Sequence, residues 1–317
     1  MEISIIKQIG VVGAGTMGTG TAQLFAQAGY EVIWYNRSPS RIQGALLQVR
    51  ASQETLIRNG SLTKGEADSA LDRIHPVVEL TNLAPVDLVS ESITENLESK
   101  QELFGRLDRI CSKETLLTTD TTGLSISGIA DRVSHPGRFA GMHFFNPPHI
   151  IPAVEIIRGT KTADSTCQVL MELMRHIGKH PVMVQKEIPG FVAARLQMAI
   201  IRKALYLVEA EVASAADVDA VMKHGLGLRW ALLGPLETAD LGGLDVFNMV
   251  ASYLNQELCD AKQSQKVLRD LVTSGNLGAK SGAGFYDYPE GRAGKILAER
   301  DEKLLKLLDI TSKKREV

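Results

Sequence analysis

Cysteine is scarce in this chain: Cys111, Cys167 and Cys259 are the only three in 317 residues, far apart and odd in number. That argues against a disulfide framework or a cysteine zinc site, and it predicts a reducing, cytoplasmic compartment. Long apolar runs are missing too. None reaches the ~18 residues of a membrane-spanning helix, so no membrane partner is expected. Charge of one sign is also lacking. The net charge is −2, from 35 basic and 37 acidic side chains. That excludes a strongly cationic nucleic-acid binder, though not a local basic pocket. The opening Met1-Glu2-Ile3-Ser4 carries an acid and runs at once into a strand-like segment, unlike a secretory or transit peptide.

What is present is globular: 44% apolar and 23% charged residues over a length that suggests two domains. The first part alternates between two periods. Ile9–Val12 is a short apolar run, Thr19–Ala28 has helical spacing and Glu31–Tyr35 is a second apolar run. Strand, helix and strand at that spacing form a βαβ unit with parallel strands. The alternation continues with a strand at Asp87–Val89, a helix at Leu97–Ile110 and a strand at Leu116–Thr119. Further strands are predicted at Phe139–Phe145 and Val154–Ile157. The pattern predicts an α/β fold with a doubly wound sheet that binds ligands at the carboxyl ends of its strands.

The pattern changes near Pro189-Gly190. Phe191–Val212 reads as one long helix with apolar residues on more than one face, and no strand alternation follows. The domains are therefore expected at 1–188 and 189–317, the second all-helical. Its apolar stripe predicts core or subunit packing, hence a homodimer. Arg292–Arg315 is a charged helical tail.

Gly13-Ala14-Gly15-Thr16-Met17-Gly18 fits G-x-G-x-x-G, follows a strand and opens a helix. Gly13 permits the tight turn, Gly15 the approach of a pyrophosphate and Gly18 close packing of helix on strand. The helix N-terminus, from Thr16 and Met17, supplies free N–H groups to the phosphates. An NAD site usually places an acid at the end of the second strand. Here Asn36-Arg37-Ser38 stands there. Asn36 can bond a ribose hydroxyl and does not repel a 2′-phosphate, which Arg37 could pair with. The cofactor is therefore NAD or NADP, with a tilt toward NADP.

His143, in Gly141-Met142-His143-Phe144-Phe145-Asn146-Pro147-Pro148, and Glu155, in Val154-Glu155-Ile156-Ile157, suit a base and its carboxylate partner. A lone glutamate among apolar residues is costly to bury, which favours pairing. His143, His149 and Glu155 lack the spacing of the usual zinc motifs, so no metal is expected.

Together, Gly-Met-His-Phe-Phe-Asn-Pro, Pro-Gly-Phe-Val-Ala-Ala-Arg, Gly-Pro-Leu-Glu and Lys-Ser-Gly-Ala-Gly-Phe-Tyr-Asp-Tyr resemble the 3-hydroxyacyl-CoA dehydrogenase family, from Ile9 to about Tyr288. The resemblance implies a Rossmann domain, a helical domain that usually dimerises, and oxidation of a 3-hydroxyacyl compound to its 3-oxo product. It implies His143 as catalytic base, Glu155 as its partner and Thr122 as a hydroxyl holding the substrate oxygen. Glu95, Lys100, Asn146 and, from the second domain, Lys280 would contact the cofactor. Ser52 would contact a coenzyme A substrate.

Three departures from the family pattern bear on the substrate. Ala194 stands where the family has an active-site Asn. Asn59 stands where it has a Lys on the CoA helix, with Arg58 adjacent. Gly225-Leu226-Gly227-Leu228-Arg229-Trp230 resembles relatives acting on free carboxylates, the gulonate and carnitine dehydrogenases. Asn146–Pro152 and the tail resemble the branch that oxidises a pyridine carboxylate. Arg229 would then bind a substrate carboxylate. The family resemblance implies a 3-hydroxyacyl-CoA substrate such as 3-hydroxybutyryl-CoA; the alternatives are a dehydrogenase of a small free carboxylate, which the local departures favour, and a weakly catalytic, crystallin-like dinucleotide binder.

Overall fold

A computed structural model describes residues 3–312 of the chain. Strand β1 (Gln8–Val12) runs into helix α1 (Thr16–Gln27), followed by β2 (Glu31–Tyr35), α2 (Pro39–Arg58), α3 (Lys64–Asp72) and β3 (Ile74–Val77). The chain then returns to the other side of β1 with β4 (Leu88–Glu91), α4 (Leu97–Ile110), β5 (Leu116–Thr119), the single turn α5 (Ile126–Ile129) and β6 (Phe139–Phe144). Strand β7 (Ala153–Ile157), α6 (Asp164–His176) and β8 (His180–Val184) complete an eight-stranded sheet of order β3-β2-β1-β4-β5-β6-β7-β8. The carboxyl ends of β1 and β4 flank the point where strand order reverses, where such sheets bind their ligands.

Every strand pair is parallel except β6 with β7, which are antiparallel. The expected alternation therefore breaks once. Only residues 145–152 join β6 to β7, too few for the crossover that parallel strands need. Two strands not read from the sequence, β3 and β8, are the two edges of the sheet. Each contains a proline, Pro76 and Pro181. Proline is tolerated at an edge, and it weakens the strand signal there.

Helices cover both faces of the sheet. One core cluster includes Phe25, Trp34, Phe144 and Leu170, all fully buried or nearly so. The other packs Phe104 of α4 edge-on against Phe139 of β6, ring centroids 4.6 Å apart. The turn after β1 is tied into this frame. Gly13 lies at φ +111°, and the buried Trp34 indole donates to its carbonyl at 2.8 Å.

The chain divides into two units between Arg195 and Leu196. That division lies inside α7 (Ala193–Glu209), whose first turn is hydrogen-bonded to the sheet. The second unit is helical, as expected. It contains α8 (Ala215–Val221), one π-helical turn at Met222–Leu226, α9 (Gly227–Trp230), α10 (Pro235–Gly242), α11 (Leu244–Glu257), α12 (Lys266–Thr273) and α13 (Arg292–Ser312). The rest of the predicted tail, to Arg315, lies outside the described residues. Among those described, no helix is long and apolar enough to cross a membrane.

The glycines of the turn after β1 do different jobs. A Cβ on Gly18 would sit 2.2 Å from the Gly13 carbonyl oxygen, whereas one on Gly15 would meet nothing within 4 Å. Gly18→Ala must therefore push backbone apart, at a cost of ~1–3 kcal/mol, while Gly15→Ala should leave stability within ~0.5 kcal/mol. Chemical denaturation of the two variants checks this. Equal stability of both would contradict it.

Candidate active site

Antiparallel pairing of β6 with β7 sets His143 directly opposite Glu155. Their side chains meet: His143 Nδ1 lies 2.8 Å from Glu155 Oε2, and both residues are buried. The other carboxylate oxygen, Oε1, accepts the backbone N–H groups of Val192 and Ala193, each at 3.0 Å. These are N-terminal amides of α7, which have no partner within their own helix. A carboxylate there also complements the positive end of the helix dipole.

The chain bends sharply to present those amides. Gly190 has φ +77° and Phe191, a buried non-glycine residue, φ +46°. A left-handed phenylalanine costs ~1–2 kcal/mol. Here the Phe191 ring is buried, with its centroid 6.2 Å from that of His143. Phe145 flanks the imidazole at 5.5 Å.

Burial pushes the Glu155 carboxyl up. The hydrogen bonds from His143, Ala193 and Val192 more than reverse this and hold it below the ordinary carboxylate value. Glu155 is therefore ionised at neutral pH and accepts at both oxygens. His143 donates from Nδ1, which leaves the Nε2 lone pair of the neutral ring as a proton acceptor.

Thr122 is exposed just beyond β5, in a turn organised by Glu95. Glu95 Oε1 accepts the Thr121 hydroxyl at 2.6 Å and the N–H groups of Thr122 at 3.0 Å and Gly123 at 3.2 Å. Lys100 is buried, 1% exposed, with Nζ 2.6 Å from Glu91 Oε1 and 3.7 Å from Glu95 Oε2. Glu91, which sequence reasoning missed, is fully buried at the end of β4. It also accepts the Ile93 N–H and the Thr119 hydroxyl, both at 2.6 Å. A buried charge needs such partners, and the nine-residue spacing to Lys100 offered no signal for this pair.

At the other side of the switch point, Gly15 and Thr16 are exposed, Met17 is half-buried, and no side chain caps the N-terminus of α1. The open space over Gly15 and the uncapped amides fit a pyrophosphate. Asn36 Oδ1 accepts the Ser38 N–H at 2.9 Å, and Arg37 is exposed beside it.

Asn146 is exposed at the start of the loop between β6 and β7. That loop is fastened by two contacts. Buried Lys179 donates to the carbonyls of Pro148 at 2.6 Å and Ile151 at 2.8 Å, a role the sequence did not suggest. The Ser52 hydroxyl on α2 lies 2.8 Å from His149 Nε2. Asn59 ends α2 with its side chain turned back onto the Thr55 carbonyl at 2.9 Å. Ala194 is half-buried in the first turn of α7. Arg229 and Lys280 belong to the second unit, and both are exposed there. Among the described residues, no group of three or more His, Cys, Asp and Glu side chains could hold a metal ion.

Comparison with known proteins bears on this arrangement. The profile of the 3-hydroxyacyl-CoA dehydrogenase NAD binding domain matches residues 8–188, and that of the 3-hydroxyacyl-CoA dehydrogenase C-terminal domain matches residues 190–288. A probable 3-hydroxybutyryl-CoA dehydrogenase of Bacillus subtilis is 39% identical over 286 residues, 90% of this chain and 98% of that one. Among solved structures, a 5-formyl-3-hydroxy-2-methylpyridine 4-carboxylic acid 5-dehydrogenase, described as an NAD+-dependent dismutase, superimposes with a TM-score of 0.91 at 32% identity. It covers 98% of this chain and 100% of that one. An (S)-3-hydroxybutyryl-CoA dehydrogenase of Ralstonia eutropha superimposes with a TM-score of 0.74 at 36% identity, over 90% of this chain and 100% of that one. Sheet, glycine turn, dyad and both matched domains agree: the chain belongs to the 3-hydroxyacyl-CoA dehydrogenase family, NAD-dependent oxidoreductases acting on CH–OH groups.

Proposed function

We propose that the chain oxidises the hydroxyl-bearing carbon of a small free carboxylate, with His143 as the base. The observation that supports the substrate class is how closely the folds superimpose: the pyridine-carboxylate dehydrogenase does so with a TM-score of 0.91 and the 3-hydroxybutyryl-CoA enzyme with 0.74. Two local features support the same reading. Ser52 is hydrogen-bonded to His149, and Asn59 replaces the family's Lys where a coenzyme A substrate would be held, leaving the adjacent Arg58 as the cation on that helix. Arg229, exposed on α9, is the proposed partner of the carboxylate.

The chemistry follows from the dyad. His143 Nε2 takes the hydroxyl proton, and Glu155 stabilises the imidazolium that results. The Thr122 hydroxyl holds the substrate oxygen. The bound dinucleotide supplies the hydride acceptor. Its phosphates would lie on Gly13, Gly15, Thr16, Met17 and Gly18, and its ribose beside Asn36 and Arg37. Glu95, Asn146 and Lys280 are the proposed further contacts. We take the cofactor to be NAD, with Arg37 leaving NADP as a weaker substitute. The three unpaired cysteines fit a reducing compartment.

A 3-hydroxyacyl-CoA substrate is the second reading, favoured by the 39% identity to the Bacillus subtilis relative. Steady-state assays with free hydroxy acids, hydroxymethyl- and formyl-pyridine carboxylates, and 3-hydroxyacyl-CoAs, each with NAD+ and NADP+, separate the two. The free acids with NAD+ should give a kcat/KM at least about tenfold higher, as expected from one charged hydrogen bond to the carboxylate. Robust acyl-CoA turnover with inert free acids would establish the second reading instead.

The second unit supports a homodimer. Leu236 is 83% exposed, Leu241 75% and Met249 60%, and among its described hydrophobic residues only Leu205 is buried. Apolar surface on that scale marks an interface. Sedimentation equilibrium should give about twice the 34.4 kDa chain mass. A stable monomer at micromolar concentration would refute the dimer.

A further inference from the structure

We propose that Asp120 is a positioning residue for His143: its buried carboxylate clamps the strand end that carries the base and supplies negative charge that favours the imidazolium. The proposal rests on His143 being the base. Asp120 is the first residue beyond β5, between β4 and β6 in the sheet, and is 9% exposed. Its Oδ1 accepts the N–H of Phe144, the residue after His143, at 2.8 Å. Its Oδ2 accepts the Ser92 hydroxyl at 3.2 Å, and its own N–H donates to the Glu91 carbonyl at 2.8 Å. One side chain thus ties the ends of β4 and β6 together beside the dyad.

The charged groups around it are few. Glu91 faces it from β4 and His143 from β6. Behind Glu91 stands Lys100 of α4, already committed to Glu91 and close to Glu95. Glu155 of β7 meets His143 through Nδ1. Among the described residues, no lysine or arginine is ion-paired with Asp120. Burial pushes its carboxyl up to about 7, helped by Glu91 and opposed by the Phe144 N–H, His143 and Ser92.

The hydrogen bonds alone do not call for an acid. An asparagine could accept the same Phe144 N–H and donate to the Ser92 hydroxyl, which is both donor and acceptor. What the aspartate adds is charge. An ionised carboxylate next to an imidazole favours its protonated form.

The test reads the ring directly. Full-length protein saturated with NAD+ and uniformly labelled with 13C and 15N is titrated by NMR, with the His143 signal identified by its loss in His143→Gln. In Asp120→Asn the His143 midpoint should fall by about half a pH unit or more, while the Phe144 amide shift stays in place. An unchanged midpoint in the folded variant would overturn the proposal. If the variant does not fold, the wild-type Asp120 carboxyl signal serves. Asp120 and His143 should each show an inflection at the other's midpoint, and independent single-step curves would overturn the proposal. The readout does not depend on turnover. A failure of His143 as base would appear in the rate of His143→Gln and leave this titration unaffected.

Discussion

The Glu155 carboxylate is the constraint on which the rest of the active site depends. One oxygen fixes the ring of His143, and the other receives two amides from the start of α7. Moving Glu155 would displace both. The antiparallel step from β6 to β7 follows from the same requirement, because it places base and acid side by side across two strands. The strained turn at Gly190 and Phe191 follows as well, since it aims the helix amides at the acid. Strain of that kind persists only where the surroundings over-determine it. Here a buried phenylalanine and two charge-assisted hydrogen bonds do so.

The dinucleotide side of the crevice is organised by buried charge in a similar way. Glu91 is fully buried, and Lys100, a backbone N–H and a threonine hydroxyl surround its carboxyl group. Removing one partner would leave an unpaired buried charge, which is far more costly than the pair itself is stabilising. The same lysine lies near Glu95, whose carboxylate shapes the Thr121–Gly123 turn. The site therefore has two charge-centred supports, Glu155 under the base and the Glu91–Lys100 pair beside Glu95, which shapes the turn that carries Thr122.

Much of this was legible in the sequence where local pattern and chemistry coincide. Helix α4 falls where its spacing put it, at Leu97–Ile110, as do β2 and β5. The glycine turn is built from residues that no other type could replace at Gly13 and Gly18. The pairing of His143 with Glu155 followed from the cost of burying a lone acid. Strands β3 and β8 were not legible, because edge strands containing proline lack the apolar alternation of inner ones. The burial of Lys100 and the link from Ser52 to His149 were illegible for another reason. Lys100 and Glu91 lie nine positions apart across the turn from β4 to α4, a spacing that matches neither period, and Ser52 and His149 lie 97 apart, so only the fold brings each pair together.

If Glu155 acts on the chemistry through His143, the two residues form one unit and their losses cannot multiply. A double-mutant cycle of His143→Gln and Glu155→Gln, read as the single-turnover rate of NADH formation with the best substrate found, tests this most directly. The account predicts that each single variant loses ~10²–10⁴ in rate and that the double variant is no slower than His143→Gln alone, within about twofold. Multiplicative losses, or a Glu155→Gln variant as fast as the wild type, would contradict it.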